Sequence, residues 1–357
     1  MNNHPPSAKE PLPKKFPAEW QQQAAILLVW PHDDTDWSDS LESVEQIYVQ
    51  IVKTIAHHEK VLIICRDTTH QSTIRNQLDI NVNNNQIIFY IAPYNDTWVR
   101  DYGPISIIKN NIPSLLNFQF NGWGNKFDSK LDNEINSKLT KLGAWHKQSI
   151  YDIPFTLEGG SIDSNGEGTL LTTSACLLNQ NRNAQFNQEA IEALLIDNLG
   201  AKKILWLNHG YMVGDDTDCH IDTLARFCDT ETIVYMACKN RKDEHFDSLK
   251  QMEQELQAFK TLDNKPFNLI PIYIPSPIYD QKKNRLPASY VNFLITNGPV
   301  LLPVYNDNGA DQHAISQLNK VMPQREIIPI DCTALIQQHG SLHCITMQLL
   351  EGTLSDD

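Results

Sequence analysis

The spacing of its short apolar runs is the feature that most constrains the fold of this 357-residue chain. Several runs, such as residues 24–30 and 61–65, have the length of buried strands. Amphipathic stretches of helical length, such as residues 243–259, separate many of them. Other strand-like runs follow one another across a short turn, as around residues 165–168. Hairpins mixed with helical crossovers predict a mixed α/β fold and argue against a purely parallel sheet.

No linker or low-complexity segment divides the chain. We therefore predict one α/β domain over residues 17–350, preceded by a flexible N-terminal arm over residues 1–16 and followed by a tail over residues 351–357. The recurring order of strand, strand, helix and strand allows structural repetition, although no clear sequence repeat is visible.

The composition narrows the class of protein. A net charge of −14 argues against a nucleic-acid partner and suits a cationic small molecule. No apolar run approaches the roughly 18 residues that span a bilayer, so we expect no membrane partner. The 7 cysteines show no C-x-x-C spacing, which favours free thiols in a reducing compartment and predicts a cytoplasmic location.

The stretch from Gly214 to Asp222 contains four aspartates and the histidine His220. The residues that follow, 223–228, predict a strand. Since residues i and i+2 of a strand project to the same face, His220 and Asp222 would point into one space if this strand begins as early as His220. An acid–base group beside an anion suits catalysis on a cationic substrate, whereas the structural alternative is a solvated acidic turn.

Cys344 follows His343 in a predicted closing strand over residues 340–348. A buried cysteine in a strand is commonly inert. A nucleophilic cysteine instead needs an acid–base group nearby, and His220 could supply it from a distant part of the chain. The sequence leaves both interpretations open.

Asp101 and Glu158 lie beside glycines at the ends of predicted strands, where acids usually serve turns or caps. Together with Asp222 they would form an anionic pocket. Negative charge raises the pKa of a nearby thiol, and a bound cation reverses that effect. A cysteine in such a pocket therefore favours a guanidinium or amine substrate over an ester or an amide.

Known metal motifs do not fit the chain. A calcium loop counted from Asp216 requires glycine where Ile221 stands. His209 and His220 lack cysteine or histidine partners at zinc spacing. The phosphate-loop and dinucleotide fingerprints are also missing. We therefore expect no metal and no cofactor.

Several short segments, in their order along the chain, resemble the agmatine deiminase family of guanidino-group-modifying enzymes, which include the arginine and peptidylarginine deiminases. The resemblance extends from about residue 17 to residue 350. The matching segments are Trp30-Pro31-His32 with Asp34-Thr35-Asp36-Trp37, Trp98-Val99-Arg100-Asp101-Tyr102-Gly103-Pro104, Glu158-Gly159-Gly160-Ser161, Leu177-Leu178-Asn179 with Asn181-Arg182-Asn183, Asn208-His209-Gly210, residues 214–222, and His343-Cys344-Ile345-Thr346.

The resemblance implies a five-bladed α/β propeller, or pentein, with pseudo-fivefold symmetry and an active site on the central axis. It also implies a homodimer and a role for each matching residue. These roles are Cys344 as nucleophile, His220 as general acid and base, Glu158 as a catalytic residue that helps to bind and orient through contact with His220, Asp101 and Asp222 as ligands of the guanidinium nitrogens, and Trp98 as a pocket wall. Asp34, Asp36 and Trp37 are the candidates for contact with the far end of the substrate.

The activity that the resemblance implies is hydrolysis of agmatine to N-carbamoylputrescine and ammonia, through a covalent amidino-thioether on Cys344, in putrescine synthesis. Deimination of arginine or peptidylarginine by the same mechanism is the nearest rival activity. It requires a partner for the carboxylate or backbone, and the arginines near the motifs are Arg100, Arg182 and Arg226. Amidino transfer to an amine is a third possible activity, and a non-catalytic propeller that binds a partner protein is a fourth possibility.

The chain departs from the family pattern in three places. The family has a glycine run before the nucleophile, where this chain has Gln338-His339-Gly340-Ser341-Leu342. Cys219 stands where glycine or serine is common, and Met347 replaces a polar residue. None of these changes removes a residue with an implied catalytic role.

Overall fold

The computed structural model describes residues 13–78, 85–146 and 149–355. Its strands are β1 (Lys14–Lys15), β2 (Gln23–Val29), β3 (Lys60–Cys65), β4 (Ile87–Ile91), β5 (Ile105–Lys109), β6 (Ile112–Gln119), β7 (Ile150–Thr156), β8 (Ile162–Ser164), β9 (Thr169–Thr173), β10 (Lys203–Leu207), β11 (Ala225–Phe227), β12 (Thr232–Ala237), β13 (Asn268–Tyr273), β14 (Leu294–Ile295), β15 (Val300–Val304), β16 (Ile327–Asp331) and β17 (Thr346–Leu350). Its helices are α1 (Leu41–Ile55), α2 (Thr68–Gln77), α3 (Val99–Tyr102), α4 (Gly122–Asn125), α5 (Lys130–Asn133), α6 (Ile135–Lys141), α7 (Ser174–Leu177), α8 (Gln180–Asn183), α9 (Gln188–Leu199), α10 (Phe246–Ala258) and α11 (Asn308–Val321).

The described strands form five small sheets, and each sheet repeats one unit. In this unit two antiparallel strands are followed by at least one helix and then by a third strand, parallel to the second. The units are β17–β2–β3, β5–β6–β7, β8–β9–β10, β11–β12–β13 and β14–β15–β16. The pairing of β17 with β2 brings the two ends of the domain into one sheet. The mixed α/β fold predicted from the sequence is confirmed.

Local sequence accounts for the longer helices. On α1 the buried residues recur at helical spacing, at Val44, Ile47, Tyr48, Ile51, Val52 and Ile55, so one face packs on the core. Asn187 caps the N-terminus of α9 by accepting a hydrogen bond from the Ala190 N–H. Gly200 ends the same helix in the left-handed conformation at φ 69°, which glycine adopts without a steric penalty.

The repeated unit places a polar side chain at the same position in all five sheets. The segment just before the first strand of each unit carries a buried polar residue. These residues are Asp101 before β5, Glu158 before β8, Asp222 before β11, Asn292 before β14 and Cys344 before β17. Equivalent places in five units thus contribute the side chains of one site.

The predictions for these two segments are confirmed only in part. The strand predicted after His220 is β11, but it begins at Ala225 and not by His220, because a 3-10 turn over Ile221–Thr223 comes first. The Thr223 hydroxyl donates to the His220 carbonyl at 2.8 Å and stabilises this turn. The closing strand begins at Thr346, so Cys344 lies in the preceding turn. Because His220 and Cys344 lie in turns and not in paired strands, their side chains can point into a cleft.

The ends of the chain are described only in part. Residues 1–12 of the predicted arm lie outside the described residues, while Lys14–Lys15 pair with β5. In the described part of the chain, none of the helices has the length and apolar character needed to cross a membrane.

Candidate active site

A cleft opens where these segments meet. Among the described residues, its lining includes Cys344, His220 and Trp98, and six aspartates but no lysine or arginine. The aspartates are Asp36, Asp96, Asp101, Asp215, Asp216 and Asp222. The cleft therefore attracts cations and disfavours anions.

Cys344 is buried at the bottom of this arrangement, and Asn292 is its nearest polar partner. The Asn292 amide nitrogen donates to the Cys344 sulfur at 3.3 Å, and the Asn292 oxygen lies 3.4 Å from the same sulfur. Asp222 Oδ2 lies 3.9 Å from the sulfur. Burial, together with the charges of Asp222 and Asp101, raises the pKa of Cys344 well above 9.0. The thiol therefore keeps its proton until positive charge enters the cleft.

His220 lies between two carboxylates. Its Nδ1 is 3.5 Å from Asp101 Oδ1, and its Nε2 is 3.7 Å from Glu158 Oε2, which is too long for a hydrogen bond. Burial alone would lower the pKa of His220, but the charge of Asp101 and contacts with Cys176 and Glu158 raise it well above 6.5. The imidazole is thus protonated at neutral pH and can donate a proton.

Asp101 and Gly160 hold the other side of His220. The Gly160 N–H donates to Asp101 Oδ1, and the Trp123 indole N–H donates to Asp101 Oδ2, both at 3.0 Å. A Cβ at Gly160 would lie 2.6 Å from His220 Nδ1, so only glycine leaves room for the imidazole. Burial raises the pKa of Asp101 to about 6, although His220 lowers it. The close approach of the His220 ring to the backbone thus explains why residue 160 is a glycine.

Glu158 does not line the cleft but is buried behind His220. Arg182 Nε donates to both Glu158 oxygens, at 2.9 and 2.8 Å, and Arg182 Nη1 donates to Asp218 at 2.7 Å. Burial alone would raise the pKa of Glu158, but His220 and Arg182 lower it. Glu158 is therefore a fixed negative charge beside the imidazole.

His343 links the site to a second layer of charges. Its Nδ1 lies 2.8 Å from Asp222 Oδ2, and its Nε2 lies 2.7 Å from Glu19 Oε2. Both ring nitrogens of His343 thus face a carboxylate oxygen at hydrogen-bond distance. Burial alone would raise the pKa of Asp222, but His343 lowers it. His343 thus keeps Asp222 ionised and in one orientation.

Arg226 completes this second layer beneath the cleft. It is fully buried and donates to Glu19 Oε2 at 2.7 Å, to Asp163 Oδ1 at 3.1 Å and to the Phe293 carbonyl at 3.0 Å. Burial alone would raise the pKa of Glu19, but Arg226 and His343 lower it far below its ordinary value. The charges of this layer compensate one another inside the protein.

The loop before Cys344 contributes a wall of the cleft. A Cβ at Gly340 would lie 2.1 Å from the Trp98 ring, so this glycine permits the ring to pack on the loop. His339 has φ 68°, a left-handed conformation that glycine adopts without strain, which fits the glycine run that the family resemblance leads us to expect here. Cys219 has the same φ of 68°, which fits the glycine or serine expected at its position.

The structure brings most of the predicted site residues to the cleft. Asp36, Trp98, Asp101, His220, Asp222 and Cys344 line it. Trp37 does not: it is fully buried, donates to the Thr97 hydroxyl at 3.1 Å and packs against Trp98 with ring centroids 5.5 Å apart. Asp34 pairs with Arg66 at 2.7 Å and is also not part of the lining. Trp37 thus supports a wall of the cleft from behind.

The roles of five contributors were not predicted from the sequence. Asn292 contacts the sulfur, Trp123 holds Asp101, Asp216 lines the cleft, and Glu19 and Arg226 form the layer beneath. Asp216 lies in the aspartate-rich segment 214–222, and Arg226 was considered only as a partner for a substrate carboxylate. The contacts of Asn292, Trp123 and Glu19 depend on segments that are distant in sequence.

A buried thiol, a protonated imidazole and ionised carboxylates around one cleft define a thiol-dependent site for a cationic substrate. A family model described as Porphyromonas-type peptidyl-arginine deiminase matches residues 15–349. The chain belongs to this family.

Individual relatives extend over nearly the whole chain. A protein from Legionella pneumophila (strain Paris) is 32% identical over 344 residues, covering 94% of this chain and 96% of its own length. A protein named agmatine deiminase from Medicago truncatula is 29% identical and covers 93% of this chain and 95% of its own. A Cys-to-Ser variant of the C. jejuni agmatine deiminase, solved with substrate bound, is 38% identical with a TM-score of 0.88, covering 99% of both chains.

Proposed function

We propose that the protein is an agmatine deiminase, a hydrolase that converts agmatine and water to N-carbamoylputrescine and ammonia. The observation that carries the proposal is a cleft whose described lining has six aspartates and no lysine or arginine around a cysteine and a histidine. Agmatine is a dication without a carboxylate and suits such a lining. Relatives and solved structures named agmatine deiminase support the same substrate.

The positions of the arginines argue against arginine as the substrate. Arg182 is held by Glu158 and Asp218, and Arg226 is held by Glu19 and Asp163. Arg100 donates to Gln348 at 2.6 Å and to the His343 carbonyl, outside the cleft. None of the three lines the cleft to receive an α-carboxylate.

We infer that Asp101 and Asp222 bind the guanidinium group. Asp222 Oδ1 is buried and has no hydrogen-bond partner in the described part of the chain, so it is free to accept a guanidinium N–H. The bound cation lowers the pKa of the Cys344 thiol and offsets the repulsion that the aspartates exert on a thiolate. Asn292 donates to the same sulfur and stabilises its negative charge.

The proposed chemistry has two halves. The thiol loses its proton to solvent, and Cys344 Sγ attacks the guanidinium carbon to form a tetrahedral adduct. His220 gives a proton to one amino group, ammonia leaves, and an amidino-thioether remains. His220 then accepts a proton from water, which attacks the same carbon. The C–S bond breaks as the urea carbonyl forms, and the hydroxyl proton released at this step restores the thiol.

We also propose that the five sheets are the blades of an α/β propeller with pseudo-fivefold symmetry and the cleft on its axis. The five repeated units, each with a polar residue before its first strand, support this arrangement. The single domain over residues 17–350, predicted from the lack of a dividing linker, and the homodimer, implied by the family resemblance, remain predictions.

Substrate preference tests the proposed function directly. Purified protein is expected to release ammonia from agmatine with a kcat/KM at least about 100-fold higher than from arginine, because a carboxylate near the aspartates costs several kcal/mol. A blocked arginine peptide should also be poor. The measurement is ammonia release from each substrate under identical conditions. Equal or faster ammonia release from arginine would contradict the proposed preference for agmatine, although it would agree with the thiol chemistry.

Asp216 is the residue that we infer binds the distal ammonium of agmatine. It lines the cleft, and no other side chain in the described part of the chain donates a hydrogen bond to its carboxylate. The Asp215 carboxylate, by contrast, already accepts hydrogen bonds from the Thr217 hydroxyl and from the Cys219 N–H, the latter at 2.7 Å. Asp216→Asn is therefore expected to raise KM for agmatine about tenfold, with kcat nearly unchanged.

The control for this prediction is Asp39→Asn, an exposed aspartate outside the cleft lining. Steady-state kinetics with agmatine and with a guanidine that lacks the distal amine separate the two ends of the substrate. If Asp216→Asn raises KM equally for both compounds, its effect is on the whole cleft and the assignment is wrong.

A further inference from the structure

Cys176 is buried beside His220 and Glu158, and the proposed chemistry does not use it. Its sulfur lies 3.6 Å from Glu158 Oε2, and His220 Nε2 lies 3.7 Å from the same oxygen. One ligand-type atom from each of the three residues lies within 4.8 Å of the other two. His220 Nε2 has no hydrogen-bond partner in the described part of the chain, although the side chain is only 1% exposed.

Two of the three spacings are close to those of a zinc site. Tetrahedral zinc with sulfur, nitrogen and oxygen ligands places neighbouring ligand atoms roughly 3.3–3.6 Å apart. The two short spacings in the cluster, 3.6 and 3.7 Å, require only a small contraction. Three protein ligands leave a fourth position for water.

The groups around the cluster are those that support metal ligands. A histidine that binds zinc through one nitrogen usually faces a carboxylate with the other, and His220 Nδ1 lies 3.5 Å from Asp101. Arg182 orients Glu158 through two hydrogen bonds. A zinc ion with one thiolate and one carboxylate is a neutral unit, and the charge of Arg182 beside Glu158 is offset by Asp218, which suits a buried position.

We propose that Glu158, Cys176 and His220 form a zinc-binding site, and that zinc bound there inhibits the enzyme. The metal would occupy His220 Nε2 and hold the imidazole that exchanges protons during the reaction. Inhibition therefore rests on the proposed function, whereas zinc binding does not. The other ligand-type group in the described residues, His32, Asp33 and Asp34, has both carboxylates paired with Arg66.

Zinc binding is measured by competition with a metallochromic chelator. Wild type and Cys344→Ser are expected to bind one Zn²⁺ ion per chain. Cys176→Ser and Cys176→Ala should lose affinity by at least the roughly 10- to 100-fold that changes in an outer shell cause. Cys219→Ser is the matched control, because Cys219 neighbours His220 in sequence but is not part of the cluster. Thermal melting confirms that each variant is folded.

The same variants separate this site from the nucleophile. A Co²⁺-substituted sample should show a thiolate-to-metal absorption band in Cys344→Ser that is lost in both Cys176 variants. Half-inhibition of ammonia release from agmatine should require at least about tenfold more Zn²⁺ in Cys176→Ser than in wild type. No stoichiometric binding by wild type, or binding lost in Cys344→Ser but kept in the Cys176 variants, would overturn the proposal. If agmatine is not a substrate, the binding measurements still decide whether the zinc site exists.

Discussion

Cys344→Ser is expected to lower kcat for agmatine by about 10⁴-fold or more. The hydroxyl is a much weaker nucleophile than the thiolate, and Asp222, whose Oδ2 lies 3.9 Å from the sulfur, opposes its ionisation. Asn292 can stabilise negative charge on the sulfur but cannot make serine ionise at neutral pH. The measurement is ammonia release at saturating agmatine, with Cys238→Ser as control, since Cys238 lies outside the cleft lining.

Binding separates a lost nucleophile from a damaged cleft. Because Cys344→Ser keeps Asp101 and Asp222, agmatine should still raise the melting temperature of this variant in proportion to its occupancy. Wild-type turnover by Cys344→Ser would exclude the covalent mechanism. Loss of both turnover and binding would mean that the sulfur mainly shapes the cleft.

Arg226→Met is expected to lower the free energy of unfolding by about 3–5 kcal/mol, because it leaves Glu19 and Asp163 buried without their shared cation. Arg226 is fully buried and donates to both carboxylates, at 2.7 and 3.1 Å. Arg226→Lys keeps the positive charge but cannot make all three hydrogen bonds of the guanidinium group. Its loss of unfolding free energy should therefore be smaller than that of Arg226→Met. The measurement is equilibrium denaturation, with the exposed Arg241→Met as control.

The pH dependence of this loss follows from the lowered pKa of Glu19. A carboxyl with a depressed pKa stabilises the fold above its unfolded pKa, here near 4.5, and loses that contribution as pH falls further. Without Arg226 the pKa of Glu19 rises, so acid unfolding should begin at a higher pH in Arg226→Met. A stability loss below about 1 kcal/mol would show that the two carboxylates find other partners.

Much of the site was predictable because its chemistry is concentrated in short segments. Cys344, His220 and Asp101 each lie in a matched motif, and the structure brings all three to one cleft. Helix boundaries were predictable for a similar reason, since caps such as Gly200 are local signals. Trp37 was in a matched motif but lies behind Trp98, because a motif does not tell which side of a packed ring pair faces the cleft.

The sequence by itself determined the alternation of strands and helices and the residue types available for thiol chemistry. Tertiary structure alone decided which buried charges compensate one another. Glu19 and His343 are separated by 324 positions in the chain, yet their side chains are 2.7 Å apart. Such pairs leave no periodic pattern in the sequence, because their partners lie in distant segments. Their charges interact strongly only after folding has excluded water from around them and lowered the local dielectric.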